Sequence, residues 1–186
     1  MIDTLSKQQR SALMSRVRGR HTKPEVLVRM LLHRRGVRFR LGGRNLPGRP
    51  DIVLVRHRVA IFVHGCFWHL HPNCKHARIP QQNRAYWKPK LEANRARDRV
   101  NRAALRAAGW KVVTVWECVA MKRPNRAVDD ILRTIGIGIG TRAKTTYDFP
   151  ISDRDALKVA EQRSRYLIAA DDRKRGERGA KKKKRS

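Results

Sequence analysis

Two apolar, β-branched runs, Asp51 to Val55 and Val59 to Val63, are separated only by Arg56-His57-Arg58. Runs of this length and composition predict adjacent strands of a hairpin, buried on at least one face. WKVVTVWE, residues 110 to 117, predicts another strong strand, and Val37 to Leu41 alternates as a short one. The clearest helix begins at Thr22-Lys23-Pro24-Glu25, a capping-box pattern, and continues through VLVRMLLHRRG to its stop at Gly36. A second helical stretch starts at Asn83; its Lys90 to Ala108 part is rich in Ala, Leu, Arg and Glu and is stopped by Gly109. A third is expected over Ala127 to Ile135. The order helix, three strands, helix, strand, helix predicts an α/β sandwich around a small mixed sheet.

The two ends of the chain read differently. Lys7 to Arg20 can form a basic helix whose main apolar positions are Leu13, Met14 and Val17, too few for a strongly buried face, so it is expected to lie on a partner. After GIGIG, residues 136 to 140, composition shifts. Residues 141 to 151 read as a linker, Ser152 to Ala170 as an amphipathic helix, and DDRKRGERGAKKKKRS as a charged, disordered tail that adds nonspecific affinity for nucleic acid.

Charge narrows the class of partner. The chain has 186 residues, within the range of about 100 to 200 typical of one domain. Its 45 Lys and Arg against 15 Asp and Glu give a formal net charge of +30, spread through the body of the chain. Such an excess predicts a polyanionic partner, bound through counterion release, with nucleic acid the first candidate. Charge alone does not separate an enzyme from a ribosomal-type RNA binder. No apolar run approaches the ~18 residues of a membrane span, and MIDTLSKQQR has no signal-peptide hydrophobic region, so a cytosolic protein is expected. Three cysteines in a reducing compartment argue for metal ligation or free thiols over a disulfide framework.

The chemistry concentrates in IFVHGCFWHLHPNC, residues 61 to 74, directly after the second apolar run. Cys66, His71 and Cys74 are spaced so that one loop could wrap a zinc ion, with Cys118 as a remote fourth ligand, although His69 or His76 could replace His71. Asp51 opens the first strand and offers a hard oxygen to magnesium. The paired strand ends at Val63-His64, which places the Val63 carbonyl and the His64 side chain near Asp51. His69 is the candidate general base, since imidazole titrates near neutrality and the zinc loop would hold it beside a phosphate. Phe67-Trp68 cannot both point into a core from such a loop, so at least one ring should be exposed and able to stack on bases, with Trp87 a third ring. Trp110 and Trp116, on an apolar strand, read as core.

Taken together, LPGRPD at 46 to 51, IFVHGCFWH at 61 to 69, the His and Cys that follow, DR at 98 to 99, GW at 109 to 110 and VWEC at 115 to 118 form a highly specific pattern. With the TKPE region, it resembles the very short patch repair (Vsr) DNA mismatch endonucleases over about residues 5 to 137. Residues 138 to 186 fall outside the resemblance.

That resemblance implies a restriction-endonuclease-like fold, a three-layer core with a small mixed sheet flanked by helices and a structural zinc site. The acidic-x-Lys end of the second catalytic strand is replaced by Val63-His64. It implies magnesium-dependent hydrolysis of the strand 5′ to the thymine of a T:G mismatch, of the kind left by deamination of 5-methylcytosine. Asp51 and the carbonyl of Val63 would bind magnesium, His69 would act as base, and His64 and Glu25 would support the water network. Cys66, His71, Cys74 and Cys118 would hold zinc. Phe67, Trp68 and Trp87 would intercalate from the major groove, and Met14 would reach the minor groove.

As partners the resemblance implies mismatched double-stranded DNA, mismatch-repair proteins and a repair polymerase, with the enzyme monomeric and nucleoid-associated in a bacterial cytoplasm. The chain departs from the family pattern at position 63, which is Val where Thr is frequent, and in HLHPNC, which has an extra residue before its last Cys. Two other readings compete: a catalytically silent zinc-stabilised DNA-binding module, and a nonspecific structure-directed nuclease.

Overall fold

A computed structural model describes Gln8 and residues 19–137 and 151–183, except for the side chains of residue 171 and residues 173–183. Most of the expected basic helix, including Leu13, Met14 and Val17, and residues 141–150 of the expected linker lie outside the described residues; of that stretch Gln8 is helical and Gly19-Arg20 form a bend.

The hairpin forms as the apolar pattern predicts. Strand β1 (Arg40–Leu41) pairs antiparallel with β2 (Ile52–Leu54), which pairs antiparallel with β3 (Val59–His64). A 3-10 turn over Val55–His57 and a left-handed Arg58 reverse the chain between β2 and β3. Strand β4 (Lys111–Trp116) then lies parallel to β3, giving the order β1-β2-β3-β4. The Val37 to Leu41 strand shrinks to two residues, Arg40 and Leu41, which pair with Val53 and Ile52 of the three-residue β2.

Helices cover both faces of this mixed sheet. On one side Val59 and Ile61 of β3, Ile52 and Leu54 of β2 and Val115 of β4 pack with α1 (Lys23–Arg34), α3 (Glu117–Lys122), α4 (Pro124–Thr134) and α5 (Asp153–Lys183). On the other, Ala60 and Phe62 of β3 meet Leu105 of the 24-residue α2 (Arg84–Ala107). Alternation along β3 therefore sends odd residues toward α1 and even residues toward α2. His64, ending the strand, falls on the α2 side.

Two differences from the sequence reading have physical causes. Helix α3 is only six residues long, too short to leave a 3.6-residue period in the sequence. Helix α5 runs to Lys183, beyond the Asp171 at which a disordered tail is expected. Its residues after that point are mostly Lys, Arg, Ala and Glu, good helix formers broken only by Gly176 and Gly179. Its first half packs on α1 through the fully buried Ala156 and Ala160, so residues 153–167 share the core of the preceding sheet domain.

Candidate active site and metal centre

Strand register explains which residues meet. In the parallel β3–β4 pair, His64 lies opposite Trp116, so Gly65-Cys66 and Glu117-Cys118 leave the sheet side by side at its carboxyl end. Glu117 Oε2 accepts the Cys66 N–H at 3.2 Å. In the antiparallel pair Ile52 lies opposite Ile61, which sets Asp51 beside the far end of β3, where its Oδ2 accepts the Val63 N–H at 2.7 Å. Gly48 permits the approach of the LPGRP loop to α2: its φ is +72°, and a Cβ there would lie 2.9 Å from the Asn101 Cβ.

These segments enclose a cleft of about 630 Å³, lined by Glu25, Arg49, Asp51, His64, Trp68, His69, Arg97, Asp98 and Glu117 among others. Asp51 is held from below by the Val63 N–H. Burial pushes its carboxyl up to about 6, the Val63 hydrogen bond opposes that rise, and the nearby Glu25 adds to it. A carboxylate so placed is short of positive charge, which suits it to a hard cation. It stands outside any cluster of three His, Cys, Asp or Glu ligands among the described residues, so a magnesium ion here would keep most of its waters.

Glu25 is 4% exposed and fully engaged. Its carboxylate pairs with Arg29 at 2.6 Å, accepts the Thr22 hydroxyl at 2.9 Å, and accepts the His21 N–H at 3.1 Å. The capping box is therefore incomplete: the Thr22 hydroxyl binds the carboxylate instead of capping a backbone N–H, and Glu25 reaches His21, one residue before the N-cap.

His64 and His69 stack face to face, with ring centroids 3.8 Å apart and planes 9° from parallel. His69 Nδ1 lies 2.5 Å from Asp98 Oδ2, a residue of α2. A carboxylate can only accept, so Nδ1 carries a proton, and in the neutral ring the lone pair is on Nε2. Burial and the adjacent His69 lower His64 to about 4, Asp98 opposing, so His64 is neutral near pH 7. Although His64, His69 and Asp98 could be read as a metal triad, the ring geometry opposes it. An ion lies in the plane of each imidazole that binds it, and two nearly parallel, stacked planes share no such point.

Cys66, His71, Cys74 and Cys118 form a second cluster, with ligand atoms all within 4.8 Å of one another. Cys66 Sγ is 3.5 Å and Cys118 Sγ 3.4 Å from His71 Nδ1. A zinc tetrahedron with its usual Zn–S and Zn–N bonds has S···N edges of about 3.5 Å, so the donor set fits that ion. Leu70 and Asn73 adopt left-handed φ of +47° and +55°, bending the loop so that His71 enters the cluster instead of His69 or His76. Burial pushes the Cys66 thiol up to about 12, and a bound cation is what would let it ionise.

The aromatic residues form one block. Phe67, Trp68 and Trp87 pack edge to face with centroids 5.1, 5.3 and 5.9 Å apart. Phe67 and Trp68 are half-buried, whereas Trp87 is 8% exposed beneath them. Trp116 does not simply fill the core: it is half-buried and stacks on the His71 ring at 4.1 Å. Sequence reasoning missed this contact, and it missed Asp98, Glu117 and Arg29. For Asp98 the only signal was the Asp-Arg pair of the motif pattern; for Glu117 it was the position next to Cys118.

Comparison with known proteins gives this cleft a context. A family profile described as DNA mismatch endonuclease Vsr matches residues 2–76. The type II nicking enzyme V.XorIIP of Xanthomonas oryzae pv. oryzae is 52% identical over 118 residues, 63% of this chain and 86% of that protein. The type II nicking enzyme V.NmeAIP of Neisseria meningitidis serogroup A is 39% identical over 137 residues, 70% of this chain and 97% of the relative. The DNA mismatch endonuclease Vsr of Escherichia coli K12 is 38% identical over 132 residues, 71% of this chain and 83% of that protein. With most of each relative covered at such identity, the chain belongs to the Vsr family of DNA endonucleases.

Proposed function

We propose that this endonuclease is magnesium-dependent and strand-specific, that it nicks 5′ to the thymine of T:G mismatches left by 5-methylcytosine deamination, and that its core is restriction-endonuclease-like with a structural zinc ion. The observation that carries the reading is the cleft in which Asp51, the His69–Asp98 pair and Trp68 of the aromatic block converge.

Asp51, with the Val63 carbonyl, would hold magnesium, which supplies charge neutralisation at the scissile phosphate. Asp98 fixes the His69 tautomer, so Nε2 faces the cleft as a proton acceptor for the attacking water. His64, neutral and stacked on that ring, holds His69 in place and can donate or accept one hydrogen bond toward the water or phosphate. Glu25, locked by Arg29 and the His21 N–H, supports the water network beside Asp51. Arg49 and Arg97 border the same cleft and suit phosphate oxygens. Zinc on Cys66, His71, Cys74 and Cys118 would pin the loop that carries both His69 and Phe67-Trp68.

Mismatch choice follows from the energy of unstacking. A mispaired step is cheaper to open than a paired one, so a ring wedge enters it preferentially. Because the three rings pack on one another in the free protein, insertion must also part them, and a site that opens easily meets that added cost. Met14 would complete the grip from the minor groove. Mismatch-repair proteins and a repair polymerase would act on the nicked product.

Two of the named relatives are type II nicking enzymes, which favours a second reading in which a defined duplex sequence, with or without a mismatch, is the substrate. Nicking assays on matched and T:G duplexes in magnesium, with Asp51→Ala as control, separate the two. T:G-dependent nicking abolished by the substitution supports the mismatch reading; equal nicking of matched DNA supports the other.

A further inference from the structure

Helix α5 lies antiparallel to α1. At its start, Asp153 Oδ1 accepts the backbone N–H of Asn125 at 3.2 Å and its side-chain amide at 2.6 Å. Asn125 and Asp129 also receive Arg35, which follows the last residue of α1. About two turns on, Glu161 pairs with Lys23 at 2.9 Å, and one turn later the buried Ser164 hydroxyl donates to the His21 carbonyl at 2.6 Å, both at the opposite end of α1. The seam runs through Ala156, Ala160 and Ser164 and closes with Leu167, the last α5 residue packed on the core. Thr22, Pro24 and Glu25, beside these contacts, line the catalytic cleft. Helix α5 therefore leaves the body at the rim of the cleft.

What continues beyond that rim has one chemistry. Residues 169–183 contain seven Lys and Arg against three Asp and Glu, with Ala as the only apolar type and no Asn, Gln, Ser or Thr. Such a segment has no apolar stripe to set on the body, and Gly176 and Gly179 each weaken a helix by about 1 kcal/mol. Its cations match phosphate, and it lacks the amide and hydroxyl side chains suited to reading base edges. Fifteen helical residues span about 22 Å, the length of about six base pairs.

We propose that α5 is a duplex-DNA arm: residues 153–167 root it beside the catalytic cleft, and residues 169–183 grip backbone phosphates of the same duplex, outside the cleft. The proposal rests on the DNA-nicking reading of that cleft. It extends the footprint on one side of the scissile bond by about half a helical turn without adding sequence preference.

The test compares the full chain with a chain ending at Ile168, and with a full-length variant in which the seven Lys and Arg of 169–183 are replaced by Gln, which keeps helix propensity. Affinity for a duplex of about 30 base pairs is measured across a salt series in magnesium-free, zinc-replete buffer. Each lost phosphate contact lowers the slope of log affinity against log salt by about 0.9, so a drop of about 3 is expected in both variants, with at least about tenfold weaker binding near 0.15 M salt. Shortening the duplex to about 12 base pairs should erase the difference. Slopes and affinities matching the full chain would overturn the proposal. Nicking in magnesium is scored separately: a full chain that binds with the steeper slope but nicks nothing would remove the catalytic reading and leave the arm standing.

Discussion

His69 Nδ1 sits 2.5 Å from the Asp98 carboxylate across 29 residues of sequence, so a loop residue and a helix residue act as one unit. Asp98→Asn would offer an amide that can donate to Nδ1, reversing the His69 tautomer and turning Nε2 into a donor. Single-turnover nicking should fall by about 10² to 10⁴, the range typical of a general base, with DNA affinity changed little. A rate within threefold of wild type would remove His69 as the proton acceptor.

Asp51 makes function and stability oppose each other. Its carboxyl is raised from 3.8 to about 6, so its contribution to stability is full below pH 3.8 and is lost as pH rises through 6. Asp51→Asn should therefore stabilise the magnesium-free protein at pH 7.5 by on the order of 2 kcal/mol, with the gain shrinking as pH falls below 6. The same substitution should abolish nicking, and wild-type nicking should decline below pH 6 as a proton displaces the cation. Urea melts at pH 7.5 and 5.5 check the first claim; a variant less stable at both would contradict it.

The loop cluster should bind one zinc per chain. His71→Ala and Cys118→Ser should each lose the metal together with cooperative unfolding, while His76→Ala keeps both. Metal analysis and thermal melts read this directly, and zinc retained by His71→Ala would assign the fourth ligand elsewhere.

Trp68 is the ring of the aromatic block that lines the cleft, so Trp68→Ala should affect mismatch choice before general affinity. Loss of one stacking ring corresponds to about 1–3 kcal/mol, or about tenfold in discrimination between T:G and paired duplexes. Equal losses on both duplexes would make the ring a general binding element.

The sequence shows the parts of this site that are local. Asp51 opening one β-branched run, His64 closing the next and the Cys and His spacing of residues 66 to 74 are visible because hairpin pairing and loop closure act over short distances. The contacts made by packing are not. Asp98 reaches His69 only because α2 crosses the face to which the even residues of β3 point, and Cys118 reaches Cys66 only through the parallel register of β3 and β4. Ser164 meets the His21 carbonyl across 143 residues, and no local pattern encodes that. Trp116 reads as core on strand periodicity, since a ring stacked on a metal-ligand histidine and a ring in a core share the same alternation.

The most direct test of the central claim is to map the nick on end-labelled duplexes that differ only in one base pair, T:G or paired, with magnesium and with zinc-replete enzyme. The account predicts a single break immediately 5′ to the mismatched thymine, in that strand alone, absent in Asp51→Ala and strongly reduced in Asp98→Asn. Equal cutting of the paired duplex, or breaks in both strands, would contradict it.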